Sequence, residues 1–392
     1  MDITLNEDQT LLYDTALSFI RQALTQKQIR DLEGTEHGFE PSVWRDMVQM
    51  GWSAAAFPER FGGAEAGPLE LALIASALGQ GAIPSPFFST VVEAGLLLLD
   101  AGAERQQSEW LPRIGSGAAI LTTAITEPGG GLLPHEIRTA IAPSGNGFKI
   151  DGTKLFVRDA GLAEAIICLA RSPADPLELT LAMVSRSAPG VSLKRLKAAG
   201  GEAVWEVRFD GVTVDADSIV GEVGDAWRNV ERLLLRAATF KSAELVGIGQ
   251  ASIDLTLDYA KERVQFSKPI GSFQAVQHHC ANMYRDLEIC RLLSWQAAGS
   301  LGEGAAGARE VAIAKAKCSD AIPAVTRIAQ QIHGAVGYYR DYPLELYYHR
   351  AIAAQAAYGD AAHHRRALAR LLSADMDRFR GNDRHDLPVH YV

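Results

Sequence analysis

Apolar residues near the start recur at helical spacing, with Leu12, Ala16, Phe19 and Ile20 on one stripe. Asn6 and Gln9 ahead of them make a capping box, a side-chain exchange that satisfies free amides at a helix start. The same period returns through Leu69–Leu78 and Thr90–Leu99, and the stretch Gly62–Pro68 reads as a loop. Residues 1–118 are therefore expected to form an all-helical domain. The pattern changes near Ala119, where β-branched and aromatic residues alternate between turn signals. Ser144-Gly145-Asn146-Gly147 separates two short strand patterns, Asp151-Gly152 marks another turn, and Ala203–Phe209 alternates up to Asp210-Gly211. Ala165–Ala170 and Leu179–Val184 read as buried strands. Short strands at this spacing predict a small antiparallel barrel or sandwich over residues 119–225. From Ala226 to about Arg263 the chain has helical periodicity and no proline, enough for a helix of roughly 50 Å. Further helical stretches near 274–301, 307–332 and 344–372 complete a four-helix bundle over 226–392, ending in a polar tail after Arg380. The fold class expected is α+β: helical domain, β-barrel, helical bundle.

Composition narrows the class. The 392 residues are 47% hydrophobic and 22% charged, enough to bury a sizeable core in two or three domains. A net charge of −9 argues against a nucleic-acid binder. The opening MDITLNEDQT lacks a signal peptide's basic and apolar regions, and no window reaches a membrane-spanning apolar run. A cytoplasmic location is expected. Cys168, Cys280, Cys290 and Cys318 have no ligand-type spacing and read as free thiols. His278-His279 and His363-His364 lack the paired Glu-x-x-His motifs of a di-iron bundle, so no metal site is expected. Gly247-Ile-Gly249 lies inside a helical pattern, where helix packing explains it better than nucleotide binding.

Three motifs carry chemistry. They are Thr126-Glu127-Pro128-Gly129, the run from Arg263 through Phe266 to Gln274, and Gln331 with Gly334 before Asp341-Tyr342-Pro343. In this order and spacing they resemble the acyl-CoA dehydrogenases over essentially the whole chain. The resemblance implies FAD-dependent formation of an α,β double bond in an acyl-CoA thioester. An electron-transfer flavoprotein or similar protein would accept the electrons. It implies flavin contacts from Thr126, Glu127, Phe156, Arg158 and Asp360. It also implies pyrophosphate and adenine contacts from Arg263, Phe266, Gln274, Gln331 and Gly334, made to a neighbouring subunit's cofactor. A guanidinium such as that of Arg263 suits phosphate through forked, charge-assisted bonds.

The sequence departs from the family where the reaction is run. Desaturation needs a carboxylate to take the α proton. The two positions that carry this glutamate in relatives are Tyr358 and Ala237, and the arginine that often accompanies the second is Ala238. Glu244 and Asp360 are the substitute candidates; their ordinary readings are an ion pair and a helix cap. Leu132 replaces a serine near the pyrophosphate, and Arg158 replaces the hydroxyl residue near flavin N5. The residues kept would serve a neighbour, and those lost would line this chain's own site. Three readings follow. The first is a catalytic homotetramer with its base elsewhere. The second is the base-lacking subunit of an α2β2 enzyme, as in the steroid-degrading branch, whose substrates are bulky ring-containing acyl-CoAs. The third is a flavoprotein running a different reaction on a thioester.

Overall fold

The computed structural model describes residues 4–130, 132–301 and 305–379. Helices come first: α1 (Glu7–Ala23), α2 (Gln26–Leu32), α3 (Pro41–Gln49), α4 (Pro68–Gly81), α5 (Leu96–Ala101) and α6 (Glu104–Gly115). The Asn6–Gln9 capping box is formed in both directions. A π-helical segment, Phe87–Gly95, runs directly into α5.

The central strands are β1 (Leu121–Ala124), β2 (Ala140–Ser144), β3 (Gly147–Arg158), β4 (Ala165–Arg171), β5 (Leu179–Ser185), β6 (Val191–Leu196), β7 (Val204–Asp215) and β8 (Ile219–Val220). They pair in the order β6-β7-β3-β2-β4-β5-β8, with β1 joining β4. The expectation of an antiparallel barrel needs correcting twice. The end strands β6 and β8 do not pair with each other, so the sheet stays open. The pairs β1–β4 and β2–β4 are parallel, so the sheet is mixed. Ser144 pairs with Gly147 at the expected hairpin. Asp151-Gly152 and Asp210-Gly211 are not turns but lie within β3 and β7, facing each other across a register shift. Gly211 N–H donates to the Asp151 carboxylate at 2.7 Å, which holds the bulge.

The bundle follows: α7 (Trp227–Glu262), a hairpin of β9 (Val264–Gln265) and β10 (Lys268–Pro269), then α8 (Gln274–Ser300), α9 (Ala305–His333), α10 (Pro343–Ala356) and α11 (Ala361–Phe379). The stretch expected as one helix over 344–372 is two, broken at Ala357–Asp360, where Tyr358 and Gly359 have φ of 55° and 94°. A left-handed pair cannot continue a right-handed helix. The polar tail after Arg380 lies outside the described residues.

The N-terminal helices and the bundle share one apolar core, and the sheet buries a second. The seam between them is the crossing of α4 and α7. A Cβ on Gly247 would sit 1.9 Å from the Ser76 carbonyl oxygen, and one on Gly79 would sit 2.2 Å from that of Glu244. Two glycines therefore let the backbones touch, which is the packing role read for Gly247. Gly247→Ala should force the helices apart and cost about 1–3 kcal/mol. Gly34→Ala, with nothing near its added carbon, should be neutral to mildly stabilising. Urea midpoints of the two variants test this, and equal midpoints would contradict the crossing.

Candidate functional site

A cleft of about 790 Å³ opens between the sheet and the α10–α11 break. This is the size of a small-molecule site. One wall comes from β3, which bulges between Lys154 and Val157. The bulge turns Phe156 out of the sheet, at φ 55° and 58% exposed, while Lys154 two residues earlier is wholly buried. Opposite stand Tyr358, Gly359 and Asp360 of the helix break, and Lys197, Arg366 and Arg370 add positive charge.

The break is pinned from behind. The buried Lys315 ammonium donates to the carbonyls of Gln355 and Gly359, both at 2.9 Å, and to the Ser319 hydroxyl at 2.8 Å. Burial pulls the pKa of this lysine down to about 7. His364 Nε2–H donates to the Tyr358 carbonyl at 2.9 Å. Burial lowers this imidazole to about 3 and keeps it neutral.

Charged groups fill the floor. The Tyr358 hydroxyl donates to Glu93, whose other oxygen accepts from Thr123 at 3.0 Å. Glu93 is 4% exposed, and burial raises its pKa against the pull of Arg158. Burial likewise raises the Tyr358 phenol, and the Glu93 carboxylate adds to this. Arg158 pairs with Glu202 at 3.3 Å, and Lys241 with Glu244 at 2.6 Å. The Phe88 ring sits among them, stacked on Tyr358 at 5.5 Å with the Lys241 ammonium 4.3 Å from its centre.

The cleft gathers Thr126, Phe156, Arg158, Tyr358, Asp360 and Leu132 from the residues singled out in the sequence. Glu127 is turned away. Its carboxylate accepts from Lys154 at 2.6 Å and from the Arg138 and Thr139 amides, so its side chain braces the sheet. Burial alone would raise its pKa, but Lys154 and these amides bring it below the usual value. Asp360 caps α11 by accepting from the His363 amide at 2.8 Å, and Glu244 is the ion-pair member already described. Ala237 and Ala238 are wholly buried. Sequence reasoning missed Glu93, Glu202 and Lys241. A visible signal existed for Glu93, a lone acid in Val91-Val92-Glu93-Ala94, because a carboxylate in apolar company needs a partner.

Arg263, Phe266, Gln274, Gln331 and Gly334 are not in this cleft. They gather where α7 and α9 end, joined by the stacking of Tyr259 on His333 at 4.3 Å. Phe266 and Ser267 form the two-residue β9–β10 turn, both with positive φ, as a primed hairpin turn requires. Phe266 is 88% exposed at its tip. Gly334, at φ 64°, has open space where a side chain would be. Along α7, Leu234 at the cleft and Arg263 are separated by about 43 Å. One extended dinucleotide does not span that distance.

Family models for the N-terminal, middle and C-terminal domains of acyl-CoA dehydrogenases match residues 6–118, 122–212 and 225–373. Acyl-CoA dehydrogenase FadE27 of Mycobacterium tuberculosis is 30% identical over 382 residues, covering 95% of this chain and 99% of its own length. The chain belongs to the acyl-CoA dehydrogenase family. It superposes on a chain of the ChsE4-ChsE5 complex of Mycobacterium tuberculosis with a TM-score of 0.86, at 29% identity over 95% of this chain and 99% of the other. The steroid ACAD Tcur3481-Tcur3483 gives a TM-score of 0.85 at 28% identity, with coverage of 95% and 99%. The family consists of flavoprotein oxidoreductases that use FAD.

The fit of FAD to these residues divides in two. The exposed Arg263, the projecting Phe266 and the open Gly334 suit its pyrophosphate and adenine end. The cleft suits the reactive ring poorly. Arg158, which the resemblance puts near flavin N5, is bound to Glu202, and Leu132 offers no hydroxyl where the resemblance expects one near the pyrophosphate. Among the described residues no group of three or more His, Cys, Asp or Glu could hold a metal, and no helix is long and apolar enough to cross a membrane.

The buried acids make stability depend on pH. Burial raises Asp159 to about 7, against the Ser89 hydroxyl that bonds it. Unfolded, it would titrate near 4. Its contribution is complete below about pH 4 and is lost as pH rises through 7. His364, depressed to about 3, works the other way, and its contribution is lost as pH falls toward 3. Asp159→Asn should remove the first effect and leave the second. The variant's stability should then climb more steeply than wild type's from about pH 4 to 7. Parallel curves in urea titrations at several pH values would rule this out.

Proposed function

We propose that this chain is the companion subunit of a FAD-dependent acyl-CoA dehydrogenase. It would supply Arg263, Phe266, Gln274, Gln331 and Gly334 to the cofactor of a partner that carries the base. The observation that carries this reading is the cleft floor, where Tyr358 fills the base position and is bonded to Glu93. The distance of about 43 Å along α7 between that cleft and Arg263 keeps those five residues from the chain's own cleft in a homotetramer as much as in a mixed one. They can serve only a cofactor held by another subunit. Within the chain's own cleft, Tyr358 stands in the base position and is tied to Glu93, and Arg158 is tied to Glu202. The likeness to a chain of the ChsE4-ChsE5 complex supports assembly with a different homologue. The likeness to a steroid ACAD supports a bulky, ring-containing acyl group in the partner's cleft. The partner would take the α proton. Bound FAD would supply the hydride acceptor, and an electron-transfer flavoprotein or a similar protein would take the electrons.

A second reading has one observation of its own. Glu93 could act as the base through Tyr358, taking the hydroxyl proton as that oxygen takes the α proton. This would make the chain self-sufficient in a homotetramer.

The visible spectrum of the purified chain separates the two. The companion reading expects protein that binds no flavin, or flavin that acyl-CoA does not bleach, with bleaching recovered on co-expression with a glutamate-bearing homologue. Arg263→Ala should then weaken flavin retention by that complex about tenfold or more, as loss of a charge-assisted phosphate contact does. Bleaching by the chain alone would favour the second reading. In that case activity should rise with pH through the elevated pKa of Glu93, and Glu93→Gln should abolish it.

A further inference from the structure

Beside the cleft lies a second, smaller cavity of about 80 Å³, and Arg158 and Glu202 line both. Its remaining walls come from α4, the π-helical segment, α7 and α10. Ala75, Leu78, Ile83, Phe87 and Ile248 make one side apolar. The other side carries the charges. Arg158 is neutralised by Glu202, and Lys241 by Glu244. Arg350 is left over.

Arg350 reaches the cavity from α10 and is only 9% exposed. Among the described residues its guanidinium makes no hydrogen bond and no ion pair, and its Nε is buried without a partner. A buried guanidinium whose Nε has lost water without gaining a hydrogen bond is costly, and the charge of Glu202 nearby offsets that only in part. The nearby Glu202 is already bonded to Arg158 and does not supply the missing contact. Arg350 faces a space that admits several waters on the scale where one water needs about 10–15 Å³. That space also holds a carboxylate with a short hydrocarbon stem.

We propose that this cavity is an anion subsite in which Arg350 binds the carboxylate of a small organic acid, with the stem against the apolar wall. The carboxylate belongs either to a free short-chain acid or to the far end of an acyl group entering from the cleft. A forked guanidinium matches a carboxylate with two parallel bonds, and the added negative charge balances the three cations against Glu202 and Glu244, the third acid of the lining, Asp159, being pushed toward its neutral form by burial. The site uses this chain's own residues and is read by binding alone, so it stands or falls separately from the companion-subunit reading.

Isothermal titration of the full chain tests it with three probes: butyrate, succinyl-CoA and butyryl-CoA. If the ligand is an acyl tail, succinyl-CoA should bind at least tenfold tighter than butyryl-CoA. If it is a free acid, butyrate should bind and the two thioesters should not differ. In either case Arg350→Gln should weaken binding tenfold or more, and Arg350→Lys should keep part of it. Arg350→Gln removes an unpartnered buried charge, so its Tm should equal or exceed that of wild type. If that variant does not fold, Arg350→Met is read in its place. The proposal is overturned if none of the probes binds wild type with a preference for the carboxylate. It is also overturned if a folded Arg350→Gln or Arg350→Met binds as wild type does.

Discussion

The unbroken length of α7 is the constraint on which the rest depends. It carries Leu234 at the cleft, Lys241 and Glu244 at the buried charges, Gly247 at the crossing with α4, and Arg263 at its far end. Without proline or an internal turn, it fixes these groups along a rigid rod at 1.5 Å per residue. The cleft and the Arg263 end are therefore held apart by geometry that side-chain motion does not alter.

The charges around Phe88 show a different economy. Arg158 with Glu202 and Lys241 with Glu244 occupy space that an apolar filling would stabilise as well or better. Such pairs add little net stability, but removing one partner leaves a buried charge and costs several kcal/mol. The same logic applies to Tyr358 and Glu93. A phenol and an acid, both with raised pKa values, satisfy each other in a site where neither charged form is comfortable. The helix break that presents Tyr358 is held by Lys315, whose ammonium replaces the amide donors that a continuing helix would have offered to Gln355 and the carbonyls beyond it.

Much of this was legible in the chain. The α1 capping box, the hairpin at Ser144–Gly147 and the continuous α7 follow from local chemistry, and the structure has all three. The motifs around Arg263 and Gln331 marked the family, which the match of all three domain models shows. Other features were not readable because they are decided at a distance. Asp151-Gly152 and Asp210-Gly211 carry a turn's composition, but become facing bulges because β3 and β7 run past each other. The open edges of the sheet are set by which strands meet, and periodicity does not report that. The break at Tyr358 depends on Lys315, more than forty residues earlier. Glu93 meets Tyr358 across the whole fold, so the partner of the residue in the base position was hidden until both were placed.

The central claim is that this chain completes a site it does not itself contain. Its most direct measurement is the flavin-to-protein ratio of the complex purified with its glutamate-bearing partner. The account predicts one FAD for each pair of unlike chains, because only the partner's cleft accepts the ring. One FAD per chain would place a cofactor in the cleft beside Arg158 and Tyr358, and would contradict it.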